Sequence, residues 1–303
     1  MKAPVSDLTA ILFAIFGFTC WVLGDSCIKW MGQSGPPPQE IVAFMGCFMA
    51  LTLILQAAVR RNFGNLRPRS VVRQALRALL DMTCNISVVI ALRHLSLTTF
   101  YILIFTSPIL ISLLSAGFLG ERVTPRKAVA LLVGFGGVVI AVAPSSHAQR
   151  IDLIGLASCM VCVVCFSVNM VWSRVLTRTE PPESLAFCSG LVTAVAGLLF
   201  TSLHPRPLTP TLWLTLGMMG VFCAAGTLSF YFAVKHTSAS NVSQYHYTQL
   251  LTGALVSYLV WHEKPGLPML VGGSLIIGSG LLIALATRND QPALRPAVAG
   301  GYE

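Results

Sequence analysis

One pattern is written twice in this chain. Ala91-Leu92-Arg93-His94 opens an apolar run that ends at Gly120-Glu121-Arg122, and Ala233-Val234-Lys235-His236 opens another that ends at His262-Glu263-Lys264. His94 and His236 stand 142 residues apart, as do Glu121 and Glu263. Upstream the echo continues at offsets of 144 and 145, with Cys20-Trp21 answered by Cys165-Phe166, Lys29 by Arg174, and Pro37-Pro38 by Pro181-Pro182. Downstream, Gly137-Val138-Val139-Ile140 is answered by Gly280-Leu281-Leu282-Ile283. Two related units follow, residues 1–146 and 147–290, with a tail at 291–303 rich in Pro, Ala and Gly that is expected to be disordered.

Only 10% of the residues are charged and 55% are hydrophobic, whereas soluble domains carry about a quarter charged residues. The chain belongs in a bilayer. Its net charge of +9 therefore points to the loops that carry it and not to nucleic acid. The first apolar run is too long for a signal-peptide core and is expected to stay attached. Nine cysteines, an odd number, lie mostly inside apolar runs. They read as small membrane-core side chains and not as a disulfide framework.

A spanning helix needs about 20 apolar residues. Ten segments qualify, at 8–30, 39–59, 74–92, 96–119, 127–144, 153–175, 184–203, 211–233, 238–261 and 267–287. With the N-terminus in the cytoplasm, Arg60, Arg61, Arg67, Arg69, Arg73, Arg126, Lys127, Arg174, Arg178 and Lys235 fall on that side, against Lys29, Arg93, Arg150, Arg206 and Lys264 outside. That bias sets the orientation. Five spans per unit force the second unit to enter upside down. The expected fold is an all-α membrane protein of ten transmembrane helices, arranged as two inverted five-helix repeats, which is a transporter architecture.

The doubled pattern, densest at Leu95 to Ala143 with Thr106-Ser107-Pro108 inside a helix, Leu119-Gly120-Glu121 at its end and Gly134-Phe135-Gly136-Gly137 in the next, resembles the EamA-type transporters of the drug/metabolite transporter superfamily. The resemblance implies a bacterial inner-membrane protein with a central cavity and alternating access. Export is the common assignment among such proteins, while some import S-adenosylmethionine or riboflavin. The second copy departs from the pattern, with Leu250 in place of Pro108 and Trp261-His262-Glu263 in place of Leu119-Gly120-Glu121.

Charged groups inside a bilayer cost about 2.5–3.5 kcal/mol on insertion scales and need partners or a wet cavity. Asp25 with Lys29, and Arg77 with Asp81, are spaced four apart and can pair on one helical face; Asp81 lies deepest and is the candidate for binding an amine, a guanidinium or a proton. The polar run Ser243 to Gln249 serves either as interhelical glue or as a substrate site, and His246 is a candidate proton carrier. The substrate site is expected to use Trp21, Asp81, Asn85, Tyr101, Phe166, Tyr245, His246 and Gln249. An unpaired Arg77 facing the cavity would favour an anion instead. Pro108 marks either a hinge or a static kink. Cys159, Cys162 and Cys165 spread round a helix without converging, so neither metal nor cofactor is called for, and no nucleophile stands beside a base to suggest an enzyme.

The expected activity is secondary transport of a small polar or amphipathic metabolite, favouring a cationic or zwitterionic amino acid or derivative. The alternatives are uptake of a larger aromatic metabolite such as S-adenosylmethionine or riboflavin, and a non-transporting sensor or scaffold. The partners expected are the substrate and the lipid bilayer; a coupling proton or counter-substrate, and a monomer or homodimer, stay open. Both termini are expected in the cytoplasm.

Overall fold

The computed structural model describes residues 7–34, 36–119, 125–142, 152–200, 208–236, 242, 245–246, 248–263 and 266–289. The first repeat contains α1 (Asp7–Ser34), α2 (Pro38–Val59), a 3-10 turn (Phe63–Leu66), α3 (Val71–His94), α4 (Leu97–Ile104), α5 (Ser107–Leu119) and α6 (Pro125–Val142). The second contains α7 (Leu153–Leu176), α8 (Pro182–Phe200), α9 (Pro210–His236), α10 (Thr248–Trp261) and α11 (Leu267–Asn289). Seven segments of the described residues are long and apolar enough to cross a membrane, Leu97–Phe118 counting α4 and α5 as one. With α6, α10 and α11 they make five passes per repeat. Large apolar side chains such as Leu55, Val59, Leu198 and Leu199 face outward, which suits lipid and not water.

The inversion is visible in the packing. α1 lies against α9 and its mate α7 lies against α3; α2 packs on α9 as α8 packs on α3. The pairs α2 with α8, α4 with α10 and α6 with α11 each join an element to its own counterpart, so a pseudo-two-fold axis passes through them. The same exchange holds residue by residue between α2 and α8. Gly46 faces Ala194, and Gly190, 144 positions after Gly46, faces Ala50, 144 positions before Ala194. Small residues permit this approach, because helices in lipid associate by close packing and not by expelling water.

The fourth span is broken between Phe105 and Thr106. Pro108 falls in the first turn of α5, where its missing N–H costs no hydrogen bond. Thr106 Oγ1 donates back to the Leu103 carbonyl at 2.8 Å and Ser107 Oγ to the Ile104 carbonyl. The break is thus a joint between two helices whose freed carbonyls are satisfied locally. Of the repeat signature, Glu121 and its neighbours lie outside the described residues, as do the tail at 291–303 and residues 237–241.

Candidate functional site

α1, α2, α3, α4, α7, α9 and α10 surround a cavity of about 100 Å³. Two carboxylates face it. Asp25 on α1 accepts a hydrogen bond from the Tyr101 hydroxyl of α4 at 2.8 Å. Asp81 on α3 accepts from Asn169 Nδ2 of α7 at 2.8 Å. Aromatic rings form the wall between them. Trp21 and Phe166, matching positions of the two repeats, meet edge to face with centroids 6.0 Å apart, and Phe230 lies 5.1 Å from Trp21 and 6.0 Å from Phe166. Trp21 Nε1 donates to Thr227 Oγ1 at 3.2 Å. The ring of His246 stacks on Phe18 at 4.7 Å and tilts against Phe166 at 5.1 Å.

Among the residues expected at the site, Trp21, Asp81, Asn85, Tyr101, Phe166, His246 and Gln249 line this cavity. Tyr245 does not. It packs half-buried against the apolar cluster around Phe18 and Leu185. Thr248 turns its hydroxyl back to the Tyr245 carbonyl at 2.6 Å; Ser243, Gln244 and Tyr247 lie outside the described residues. Asn85 Nδ2 reaches Thr193 Oγ1 at 3.4 Å. Gln249 Nε2 donates to the Phe18 carbonyl at 3.1 Å, and its Oε1 and His246 Nδ1 are buried without a protein partner.

Neither charge pair that four-residue spacing permits is formed, and both cations take partners distant in sequence instead. Lys29 pairs with Glu263 at 2.5 Å and lies 4.6 Å over the Trp261 ring, which leaves Asp25 to the cavity. Arg77 does not bond Asp81 directly. It is fully buried and donates to the Leu185 carbonyl at 2.7 Å, Ser189 Oγ at 2.9 Å, the Tyr231 hydroxyl, Asn169 Oδ1 at 3.5 Å and Gln74 Oε1 at 3.4 Å. Asn169 therefore stands between the two charges, one end of its amide on Arg77 and the other on Asp81. Bilayer-buried charges seek hydrogen bonds wherever the bundle supplies them, and helical spacing alone names only one candidate partner.

Asp25, Asn169 and Phe230 line the cavity as well and stand outside the set expected from the sequence. For Asp25 the four-residue spacing offers Lys29 as a competing partner. Asn169 carried a signal, a lone amide in the apolar run of the sixth span. Among the described residues no Lys or Arg lines the cavity. The arrangement can hold a cation between two carboxylates and against aromatic faces, where cation–π attraction adds about 0.5–2 kcal/mol.

The sequence matches the EamA-like transporter family over residues 8–143 and again over 153–285. The chain belongs to the EamA-like transporter family. It is similar to a riboflavin transporter of Brucella anthropi, at 27% identity over 89% of this chain and 95% of that protein. An S-adenosylmethionine uptake transporter of Rickettsia bellii is 25% identical over 80% of this chain and 82% of its own length. The pseudopaline exporter CntI of Pseudomonas aeruginosa is 28% identical over 89% and 93%. A solved crystal structure, 20% identical, superposes with a TM-score of 0.71 over 95% of this chain and 100% of that one, which shows the shared fold. These EamA relatives are transporters and not enzymes, so the present chain is a multi-pass membrane transporter.

Proposed function

We propose that this EamA transporter moves a compact cationic or zwitterionic metabolite, an amino acid or amino-acid derivative, by alternating access across a bacterial inner membrane, with both termini in the cytoplasm. The observation that carries the reading is the pairing of Asp25 and Asp81 on one aromatic-walled cavity while Arg77 is held by five hydrogen bonds in the bundle. Two carboxylates facing the site, with no Lys or Arg among the described lining residues, favour a positively charged ligand. The Lys and Arg bias towards one set of loops supports the orientation. The substrate-binding set is Trp21, Asp25, Asp81, Asn85, Tyr101, Phe166, His246 and Gln249.

A second reading is a larger aromatic metabolite such as S-adenosylmethionine or riboflavin, favoured by the rings of Trp21, Phe166 and Phe230 around the cavity. The test is a thermal-shift series on detergent-solubilised protein with lysine, arginine, S-adenosylmethionine and riboflavin, then uptake of the best ligand into proteoliposomes with and without a proton gradient. A cation stabilises the protein in proportion to ln(1 + [L]/Kd), and Asp25→Asn and Asp81→Asn each weaken it about tenfold, the worth of about 1.4 kcal/mol. Stabilisation by riboflavin, unchanged in both variants, moves the assignment to the aromatic reading.

A further inference from the structure

Two thiols from opposite repeats meet in the wall of this cavity. Cys84 lies mid-way along α3 and Cys162 mid-way along α7, and their Sγ atoms are 3.4 Å apart. The Cys84 Sγ also lies 3.8 Å from the Cys162 carbonyl oxygen, so its thiol is directed at the α7 backbone. Both residues are buried from bulk solvent and both line the cavity. All nine cysteines are free. Among the described residues, no other two thiols are in hydrogen-bond contact. Cys159, one turn earlier on α7, points to the Phe100 carbonyl at 3.8 Å, and Cys223 reaches the cavity from α9.

A disulfide bond is about 2.05 Å long. Two sulfurs in van der Waals contact must therefore close by about 1.4 Å, which small side-chain rotations supply when the backbones are already packed. α3 and α7 are packed along much of their lengths. A small oxidant that reaches the cavity meets both thiols at once, and the first sulfur to be oxidised has its resolving partner in contact. We propose that Cys84 and Cys162 form a dithiol site in the cavity wall, which a two-electron oxidant such as a hydroperoxide or an azodicarboxamide closes to a disulfide joining the two repeats. With a hydroperoxide, one sulfur takes the terminal oxygen as the O–O bond breaks and the alcohol leaves. The second thiol then attacks that sulfur, the S–S bond forms, and the oxygen leaves as water with the remaining proton. With an azodicarboxamide, the N=N bond receives the two electrons and both thiol protons.

The site sits beside a polar contact that already ties this helix pair. Asp81 precedes Cys84 by one turn on α3 and Asn169 follows Cys162 by two turns on α7, with Asn169 bonded to Asp81. Closing the disulfide adds a covalent tie beside that bond and fixes this wall of the cavity in the geometry described here. The consequence is a redox-sensitive transport cavity.

The experiment treats the purified, detergent-solubilised full chain with the azodicarboxamide diamide under native conditions, then digests it without reductant. The expected product is one pair of peptides, containing Cys84 and Cys162, joined with the loss of two hydrogens, while titratable thiols fall by two from nine and return with dithiothreitol. Phenylarsine oxide, whose oxygen leaves as water when arsenic bridges two thiols, adds once per chain and protects the pair from diamide. Cys84→Ser and Cys162→Ser each abolish both products. The wild-type peptide map does not depend on those variants folding. No loss of thiols in the native protein, or a link from either residue to Cys159, Cys165 or Cys223 instead, overturns the proposal.

Discussion

The Tyr101 hydroxyl donates to the Asp25 carboxyl at 2.8 Å, and this bond joins α4 to α1 at the edge of the cavity. Tyr101 is held there by an absence. A Cβ on Gly253 of α10 would overlap the Tyr101 ring, so the glycine makes the slot in which the ring lies. Gly253→Val is expected to displace the ring, costing about 1–3 kcal/mol as an overpacked core, and to strip Asp25 of its donor. Tyr101→Phe removes the donor alone, at about 1–3 kcal/mol. Melting temperatures of the two single variants and the double variant check this. The double variant should fall less than the sum, because both act on one contact.

Arg77 is the polar centre of the bundle, with partners on α7, α8 and α9 besides its own helix. Arg77→Leu leaves the Leu185 carbonyl, Ser189, Tyr231 and Asn169 without their common donor. The Leu185 carbonyl keeps the Ser189 hydroxyl and Asn169 Oδ1 keeps the Ser173 hydroxyl. What is lost is the charged donor's own set of bonds, about 1.5–3 kcal/mol for a single one, and a net loss of about 3 kcal/mol is expected. Arg77→Lys should recover only a small part, since one ammonium cannot span donors directed to four groups. Asn169→Leu, which removes the link to Asp81, should destabilise less than Arg77→Leu. A thermal melt that ranks Arg77→Lys with the wild type would show that charge and not geometry is what the bundle uses.

The doubled pattern of Arg93-His94 and Lys235-His236 made the inverted repeat legible from the chain alone, because duplication at a fixed offset survives when side-chain contacts do not. Trp21 and Phe166 were found the same way, as positional mates, and they meet in the cavity. Partners of charges were not legible. Asp25 and Lys29 share a helical face, yet the ion pair of Lys29 is with Glu263, 234 positions on, and no local spacing encodes a contact of that range. Tyr245 fell off the cavity for the opposite reason. Adjacent polar residues in a sequence do not share surroundings, and only packing decides that His246 meets the cavity while Tyr245 meets the apolar cluster around Phe18.

Close approach of α2 and α8 gives a prediction with an internal comparison. A Cβ on Gly46 would overlap backbone atoms of Ala194, which cannot yield, whereas one on Gly190 would sit 3.2 Å from the Ala50 nitrogen and Met49 Cγ. Gly46→Ala should therefore destabilise by about 1–3 kcal/mol. Gly190→Ala should cost less, because the Met49 side chain can shift and the alanine recovers helix propensity of up to about 1 kcal/mol. Melting curves of the two variants side by side test the order. Equal losses would mean that the two-fold mates are packed alike.

Acid sensitivity should arise where the end of α3 meets the start of α7. His94 Nδ1 lies 2.8 Å from Asp152 Oδ2, and the other carboxylate oxygen accepts from the Ile154 N–H at 2.8 Å, capping α7. The His94 hydrogen bond, aided by the Ile154 N–H, holds the Asp152 carboxyl below its ordinary range. An unfolded chain therefore binds this proton first on acidification. The contribution to stability is complete above the ordinary aspartate value of about 3.9 and is lost as pH falls through the lower folded value. Asp152→Asn should melt below the wild type at pH 6 and 7, and the gap should close below about pH 4. Both side chains are partly open to water, so the charge-dependent part of the gap should also shrink at high salt. A gap that persists unchanged at pH 3 would assign the effect to the amide's weaker cap and not to the carboxylate's charge.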